Sequence, residues 1–143
     1  MESCIRLANE SDFEDLRRND KHISDEILKR KIGEKSIFVA AVNGEFAGWL
    51  RYGLFWDELP FMNMLFVLEK FRGMGLGSSL VKEWEKRMLS AGFKILMTST
   101  QANECSQHFY RRLGYTDLGG FIPPGEGYEI ILGKNMSNWE RLL

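Results

Sequence analysis

The chain is poor in the features that would set it apart from ordinary globular proteins. Its 143 residues hold only two cysteines, Cys4 and Cys105, far apart and without ligand residues at metal-binding spacing. That excludes a disulfide framework and a zinc site, leaves no metal expected, and fits a reducing compartment. Cations are not in excess: nineteen Lys and Arg face twenty Asp and Glu, for a formal charge of −1. An electrostatic grip on nucleic acid needs surplus Lys and Arg, so no nucleic-acid partner is expected. The one basic run, Lys29-Arg30-Lys31, reads as a solvated helix face. No stretch reaches the ~20 apolar residues of a membrane span, and the first residues lack a basic leader ahead of an apolar run. A cytoplasmic protein without a membrane partner is the expectation. Repeats, low-complexity tracts and interdomain linkers are also absent, so residues 1–143 are expected to form a single domain.

What is present is a run of well-punctuated elements. Ile5–Ala8 alternates as a short strand, Ser11 offers an N-cap for a helix through Leu16, and Ser24 offers another. Behind Ser24, Ile27, Leu28 and Ile32 share one helical face. The β-branched run Ile37–Val42 and the strand Phe46–Phe55 flank Asn43-Gly44, a dipeptide suited to a type I′ hairpin turn. Asp57 and Glu58 mark a turn before the apolar strand Phe61–Val67. A helix from Leu76 carries Leu80, Val81, Trp84 and Met88 at helical spacing, with Gly92 placed to end it. Phe93–Thr98 reads as a strand and Glu104–Leu113 as a helix closed by Gly114. Two last strands, Tyr115–Leu118 and Tyr128–Leu132, are joined by a Gly/Pro-rich segment over 119–127. Hairpins followed by strand–helix–strand–helix–strand predict an α+β (mixed α/β) domain.

The segment Arg72-Gly73-Met74-Gly75-Leu76-Gly77-Ser78 lies between an apolar strand and an amphipathic helix. Alternate glycines permit positive φ and close backbone approach, and the first turn of a helix leaves four amides without intrahelical partners. Together with the positive end of the macrodipole, these features suit a phosphate or pyrophosphate; three glycines alone also fit a ligand-free turn. A P-loop is excluded because no Gly-Lys-Ser/Thr follows. The dinucleotide fingerprint fails because Ser78 or Leu80 stands where its third glycine belongs. A second constellation runs from Asn103 through Ser106, Phe109 and Tyr110 to Gly114 and Tyr115. On periodicity alone, Phe109 and Leu113 are core contacts and Tyr110 a partly exposed aromatic.

These two segments, with the lead-in Leu65-Phe66-Val67-Leu68-Glu69-Lys70-Phe71, resemble the acetyl-CoA signature and the later motif of the GCN5-related N-acetyltransferase (GNAT) family. The resemblance implies a mostly antiparallel central sheet flanked by helices and splayed between its fourth and fifth strands. It implies acetyl-CoA as co-substrate, its pantetheine arm along Leu65, Phe66 and Val67, and its pyrophosphate on Arg72, Gly73, Met74, Gly75, Leu76, Gly77 and Ser78. Asn103, Ser106 and Tyr110 are expected at the cofactor arm. Tyr110 aligns with the tyrosine that relatives use to protonate the departing sulfur; packing without proton transfer is the alternative. A backbone amide at or near Val67 is the expected oxyanion donor. The acceptor is expected to be an amine of a small molecule or a protein, and a second copy of the chain is a candidate partner. Some relatives carry a glutamate inside the central strand, whereas Phe61-Met62-Asn63-Met64-Leu65 has no carboxylate. Glu58, Glu126 and Glu129 are left as candidates for the base, and Phe55, Trp56, Asp57 and Glu58 as a mouth for a cationic amine. A non-catalytic acyl-CoA-binding module is the competing reading, and the amphipathic tail over 137–143 is a candidate docking segment.

Overall fold

A computed structural model describes residues 2–137. Seven strands and four helices follow one another as β1 (Ser3–Leu7), α1 (Phe13–Asn19), α2 (Asp25–Gly33), β2 (Ile37–Val42), β3 (Glu45–Phe55), β4 (Leu59–Val67), α3 (Leu76–Ser90), β5 (Ile95–Gln101), α4 (Ser106–Arg112), β6 (Thr116–Phe121) and β7 (Glu129–Asn135). The sheet order is β1-β2-β3-β4-β5-β7-β6. Pairing is antiparallel for β1 with β2, β2 with β3, β5 with β7, and β6 with β7. The parallel ladder of β4 with β5 is confined to Phe61↔Met97 and Met62↔Thr98, in keeping with a splay between the fourth and fifth strands. This is the mixed α+β architecture expected from the order of elements.

The chain folds as two compact units interleaved along the sequence. One comprises the residues up to Tyr52 together with Met64–Trp84; the other comprises Gly53–Asn63 and the residues from Glu85 onward. In the first, Leu16, Leu28, Ile32, Ile37, Val39 and Trp49 form a buried cluster, closed by Phe13, Phe46 and Met64. Beneath it lies a buried ion pair: Arg51 Nε donates to Asp20 Oδ2 at 2.8 Å, and Trp49 Nε1 donates to the same oxygen at 3.2 Å. In the second, Met62, Met88, Leu96, Tyr115, Ile130 and Leu132 are buried.

Local chemistry explains where the elements begin and end. Ser24 caps α2 as expected, accepting from the Ile27 amide at 3.3 Å. Ser11 does not cap α1. Asn9 takes that place in a capping box with Asp12, starting a 3₁₀ turn over Glu10–Asp12 that runs into α1. Ile27, expected on the buried face of α2, is exposed, whereas Leu28 and Ile32 are buried. Asn43 and Gly44 both have positive φ, as a type I′ turn requires.

Phe93 belongs to the end of α3 rather than to β5. Its amide donates to Met88 O while the amide of Gly92, at φ +96, donates to Leu89 O: a Schellman cap. The same pattern closes α4, where Tyr115 N donates to Tyr110 O and Gly114 N to Arg111 O. Tyr115 is therefore part of a cap, and β6 starts one residue later. The start of α4 also moves inward, from Glu104 to Ser106, because residues 102–105 form turns.

Candidate acyl-transfer site

In the first unit, β4 delivers the chain through a 3₁₀ turn over Glu69–Phe71 into the glycine loop. Phe71 and Leu76 are buried with Val42 and Ala47, and these two anchors fix both ends of the loop. Between them Gly73 and Gly75 hold φ of +79 and +78, a conformation that costs an L-residue roughly 1–2 kcal/mol. The Gly75 carbonyl accepts from Ser79 N at 3.0 Å, so Gly75 occupies the N-cap of α3. A glycine cap has no side chain to satisfy the first-turn amides of Leu76, Gly77 and Ser78. Beyond the glycine and its chain neighbours, no heavy atom lies within 4 Å of where a Cβ would stand on Gly73 or Gly75. The loop is thus an open, uncapped helix N-terminus on a fifteen-residue helix, and its donors fit a diphosphate.

Arg72 is exposed, and its Nε donates to Val67 O at 2.9 Å while its guanidinium lies over the Phe66 ring at 5.2 Å. The arginine therefore braces the end of β4 as well as standing beside the loop. Leu65 and Val67 are half-buried and Phe66 is exposed. Gly48 on β3 makes this arrangement feasible: a Cβ there would stand 2.6 Å from Phe66 O and 3.2 Å from Val67 Cα.

In the second unit, Tyr110 is the buried residue of α4, at 6% exposure, while Phe109 and Leu113 are half-buried. That reverses the expectation from periodicity, because α4 is short and turns Tyr110 toward β5. Burial pushes the Tyr110 phenol up to about 12, with the nearby Thr98 hydroxyl countering part of the rise. Thr98 is itself buried, and its Oγ1 donates to Met62 O at 3.0 Å, beside the parallel ladder. Two residues along, Thr100 and Ser106 share a hydrogen bond at 2.6 Å. The two threonines, two residues apart on β5, are ~6.6 Å apart, close to the ~6 Å rise between Ser106 and Tyr110 on α4.

Behind Tyr110, the Schellman cap places Tyr115 edge-on at 6.0 Å between ring centroids. Tyr115 donates to Glu85 Oε2 at 2.8 Å, and Lys134 Nζ pairs with the same carboxylate at 3.1 Å. Burial first, and then the Glu85 charge, drives the Tyr115 phenol far up, which keeps it neutral as a prop. Asn103 is exposed in the turn before α4. Among the candidates for a base, Glu58 and Glu126 are exposed and Glu129 is half-buried in β7 opposite Gln101. Trp56, 77% exposed, and Asp57 form the β3–β4 turn, with φ of +53 and +65. Within this unit the turn is five or six residues up β4 from Met62, roughly 17–20 Å of extended chain.

Residues 2–115 match the model of the acetyltransferase (GNAT) family. The chain belongs to that family. An uncharacterized N-acetyltransferase of Chlorobaculum tepidum is 26% identical over 124 residues, covering 82% of this chain and 77% of the relative. The Ard1 structure from Thermoplasma volcanium superposes with a TM-score of 0.84 at 17% identity, covering 96% of this chain and all of that one. The PaiA N-acetyltransferase of Thermoplasma acidophilum, solved in complex with coenzyme A, gives 0.76 at 16% identity, covering 94% and 99%. At these identities the two structures attest the GNAT fold.

Three features around Tyr110 and Ser106 were not read from the sequence: Thr98, Thr100 and the Glu85–Tyr115–Lys134 group. The threonines had a signal, since Thr98 and Thr100 alternate on the strand that leads to Ser106 and Tyr110. The partnership of Glu85 with Lys134 spans 49 residues and leaves no local pattern. Among the described residues no group of three or more His, Cys, Asp or Glu could hold a metal, and no helix is long and apolar enough to cross a membrane. Both cysteines are exposed thiols. Ser137, the first residue of the tail, is tied by its amide to Asn135 Oδ1 at 2.9 Å; the rest of the tail lies outside the described residues.

Proposed function

We propose that the chain acts as one N-acetyltransferase domain that moves the acetyl group of acetyl-CoA to an amine of a small molecule or protein. The observation that carries this reading is the uncapped, open N-terminus of α3 in a chain of the GNAT family. Coenzyme A bound in the PaiA relative supports the choice of ligand. Amides from Arg72 to Ser78 hold the pyrophosphate, and Leu65, Phe66 and Val67 line the pantetheine arm. Because the Val67 carbonyl already accepts from Arg72, the arm pairs with the remaining backbone groups of this strand. Asn103 and Ser106 are further cofactor-arm residues in this reading.

A neutral amine attacks the thioester carbonyl, and a β4 amide at or near Val67 stabilises the oxyanion. Tyr110 gives its proton to the sulfur as the C–S bond breaks. Burial suits it to that task, since the phenol stays protonated throughout the neutral range. The amine loses its proton to water or to Glu58, Glu126 or Glu129. The chain works in the cytoplasm, without a metal, and as a monomer or a homodimer.

The test is coenzyme A release in the presence of a panel of amines, from polyamines and aminoglycosides to amino acids and peptides. Release that requires both acetyl-CoA and one class of amine is expected. Tight acetyl-CoA binding with no release on any amine would instead support a binding module, the reading favoured by the absence of a carboxylate in Phe61–Leu65.

A further inference from the structure

The sheet of the second unit has two unlike sides. Paired residues of a ladder point to the same side, and successive residues alternate. On one side Leu96, Thr98, Thr100, Ile130 and Leu132 are buried; α4 bonds to this side through Ser106 and α3 through Glu85. Both helical segments of the unit are committed there. On the other side stand Ile95, Ile131, Gly133 and Asn135, joined on β6 by Thr116. Ile95 and Ile131 are only half-buried. Leu118 belongs to this side as well. The bulge between Asp117 and Gly119 takes it out of register, and its Cδ1 stands 2.5 Å from where a Cβ on Gly133 would be. It lies across a glycine and is still 56% exposed. Beside it runs a groove of about 300 Å³, with Ile95, Thr116, Leu118, Gly133 and Asn135 in its lining.

The described chain stops at the rim of this groove. Met136 N donates to Lys94 O at 2.7 Å, and Asn135 Oδ1, in the groove wall, accepts from the Ser137 amide at 2.9 Å and from its hydroxyl. Beyond Ser137 the sequence reads Asn138-Trp139-Glu140-Arg141-Leu142-Leu143, with its apolar residues spaced as on one helical face. We propose that the groove is the docking site of this chain's own residues 138–143, with Trp139 set against Leu118 and Gly133. Reach is sufficient: six residues span ~9 Å at helical rise and ~20 Å extended, against ~10 Å for two strand spacings. So is room, since a cavity of roughly 150 Å³ already takes a benzene ring. A second copy fits worse. β6 is an edge strand, but its bulge and the pair Gly119 and Gly120 interrupt the row of groups that a partner strand would need. A tethered segment also meets its site at an effective concentration of order millimolar, far above that of a dilute second chain. Docking covers Leu118 and braces the end of β7, where Lys134 reaches Glu85. Nothing in it depends on acetyl transfer.

The experiment uses the full chain with isotope-labelled leucine and isoleucine methyls, and the variants Trp139→Ala and Leu118→Ala, alone and combined. Nuclear Overhauser contacts from the Trp139 indole to the Leu118 methyls are expected at a concentration where sedimentation shows a monomer. Trp139→Ala should move the Leu118 and Ile95 methyl resonances, through loss of the indole ring current. It should also lower Tm by roughly 4–8 °C, whereas loss of a solvated indole would leave Tm within about 2 °C. In the Leu118→Ala background the same change should cost clearly less, because both side chains serve one contact. Leu118 and Ile95 methyls that stay in place in Trp139→Ala, or a Tm that it leaves unchanged, overturn the proposal. Indole–methyl contacts that appear only where the chain sediments as a dimer overturn it in favour of a second copy. Should Leu118→Ala fail to fold, the resonances and Tm of Trp139→Ala decide alone.

Discussion

The glycine loop and the Tyr110 pocket are built on opposite plans. The loop is a backbone site: its donors are amides, its shape comes from two residues at positive φ, and its cap is a residue with no side chain. The pocket is a side-chain arrangement, in which one buried phenol is packed against Tyr115, itself held by Glu85 and Lys134. The loop should tolerate loss of single side chains and fail when side chains are added. The pocket should respond to the loss of a single oxygen. That contrast follows from how many atoms each plan commits to one place.

Removing the Tyr110 hydroxyl is the largest expected effect. Tyr110→Phe should lower the maximal rate by ~10²–10⁴, the usual contribution of general acid catalysis, with acetyl-CoA affinity near wild type. Rapid-mixing kinetics on the accepted amine would check it; an unchanged chemical step would reduce Tyr110 to a packing residue and erase the contrast. The smaller effect belongs to the loop. Gly75→Val puts a β-branched residue at φ +78, at a strain of roughly 1–2 kcal/mol, and fills the open space proposed to receive phosphate. Its dissociation constant for acetyl-CoA should rise about tenfold or more by calorimetric titration, with kcat at saturation little changed. A Gly75→Val protein that binds as wild type would show that the cradle is not where the cofactor sits.

The same contrast explains what the sequence discloses. A backbone site must recruit glycine at fixed places, so Gly73, Gly75 and Gly77 announce it in the primary structure. The strands Ile37–Val42 and the Asn43-Gly44 turn are equally local, and they form where hydrophobic runs and turn chemistry put them. Gly92 and Gly114 mark the helix ends, but the residues after them, Phe93 and Tyr115, look like strand starts until the Schellman pattern claims them. The β3–β4 turn is only half legible: Asp57 marks it, but Trp56, at φ +53, is a residue type that does not advertise a positive φ. Gly48 is silent too, since its need is the Phe66 carbonyl on a neighbouring strand. Tyr110 could be named by resemblance, yet its burial depends on the meeting of β5 and α4. Pairings of that kind are set by packing and carry no short-range signal.

Thermal unfolding with and without acetyl-CoA tests the central claim most directly, because it asks for binding before any acceptor is known. At a hundred times its dissociation constant, a ligand that binds only the folded chain adds ~2.7 kcal/mol, a rise in Tm of several degrees for a domain of this size. The account predicts that rise for the wild type and predicts that Gly75→Val needs correspondingly more acetyl-CoA to reach it. An unfolding midpoint that does not move at saturating acetyl-CoA would contradict the assignment at its first step.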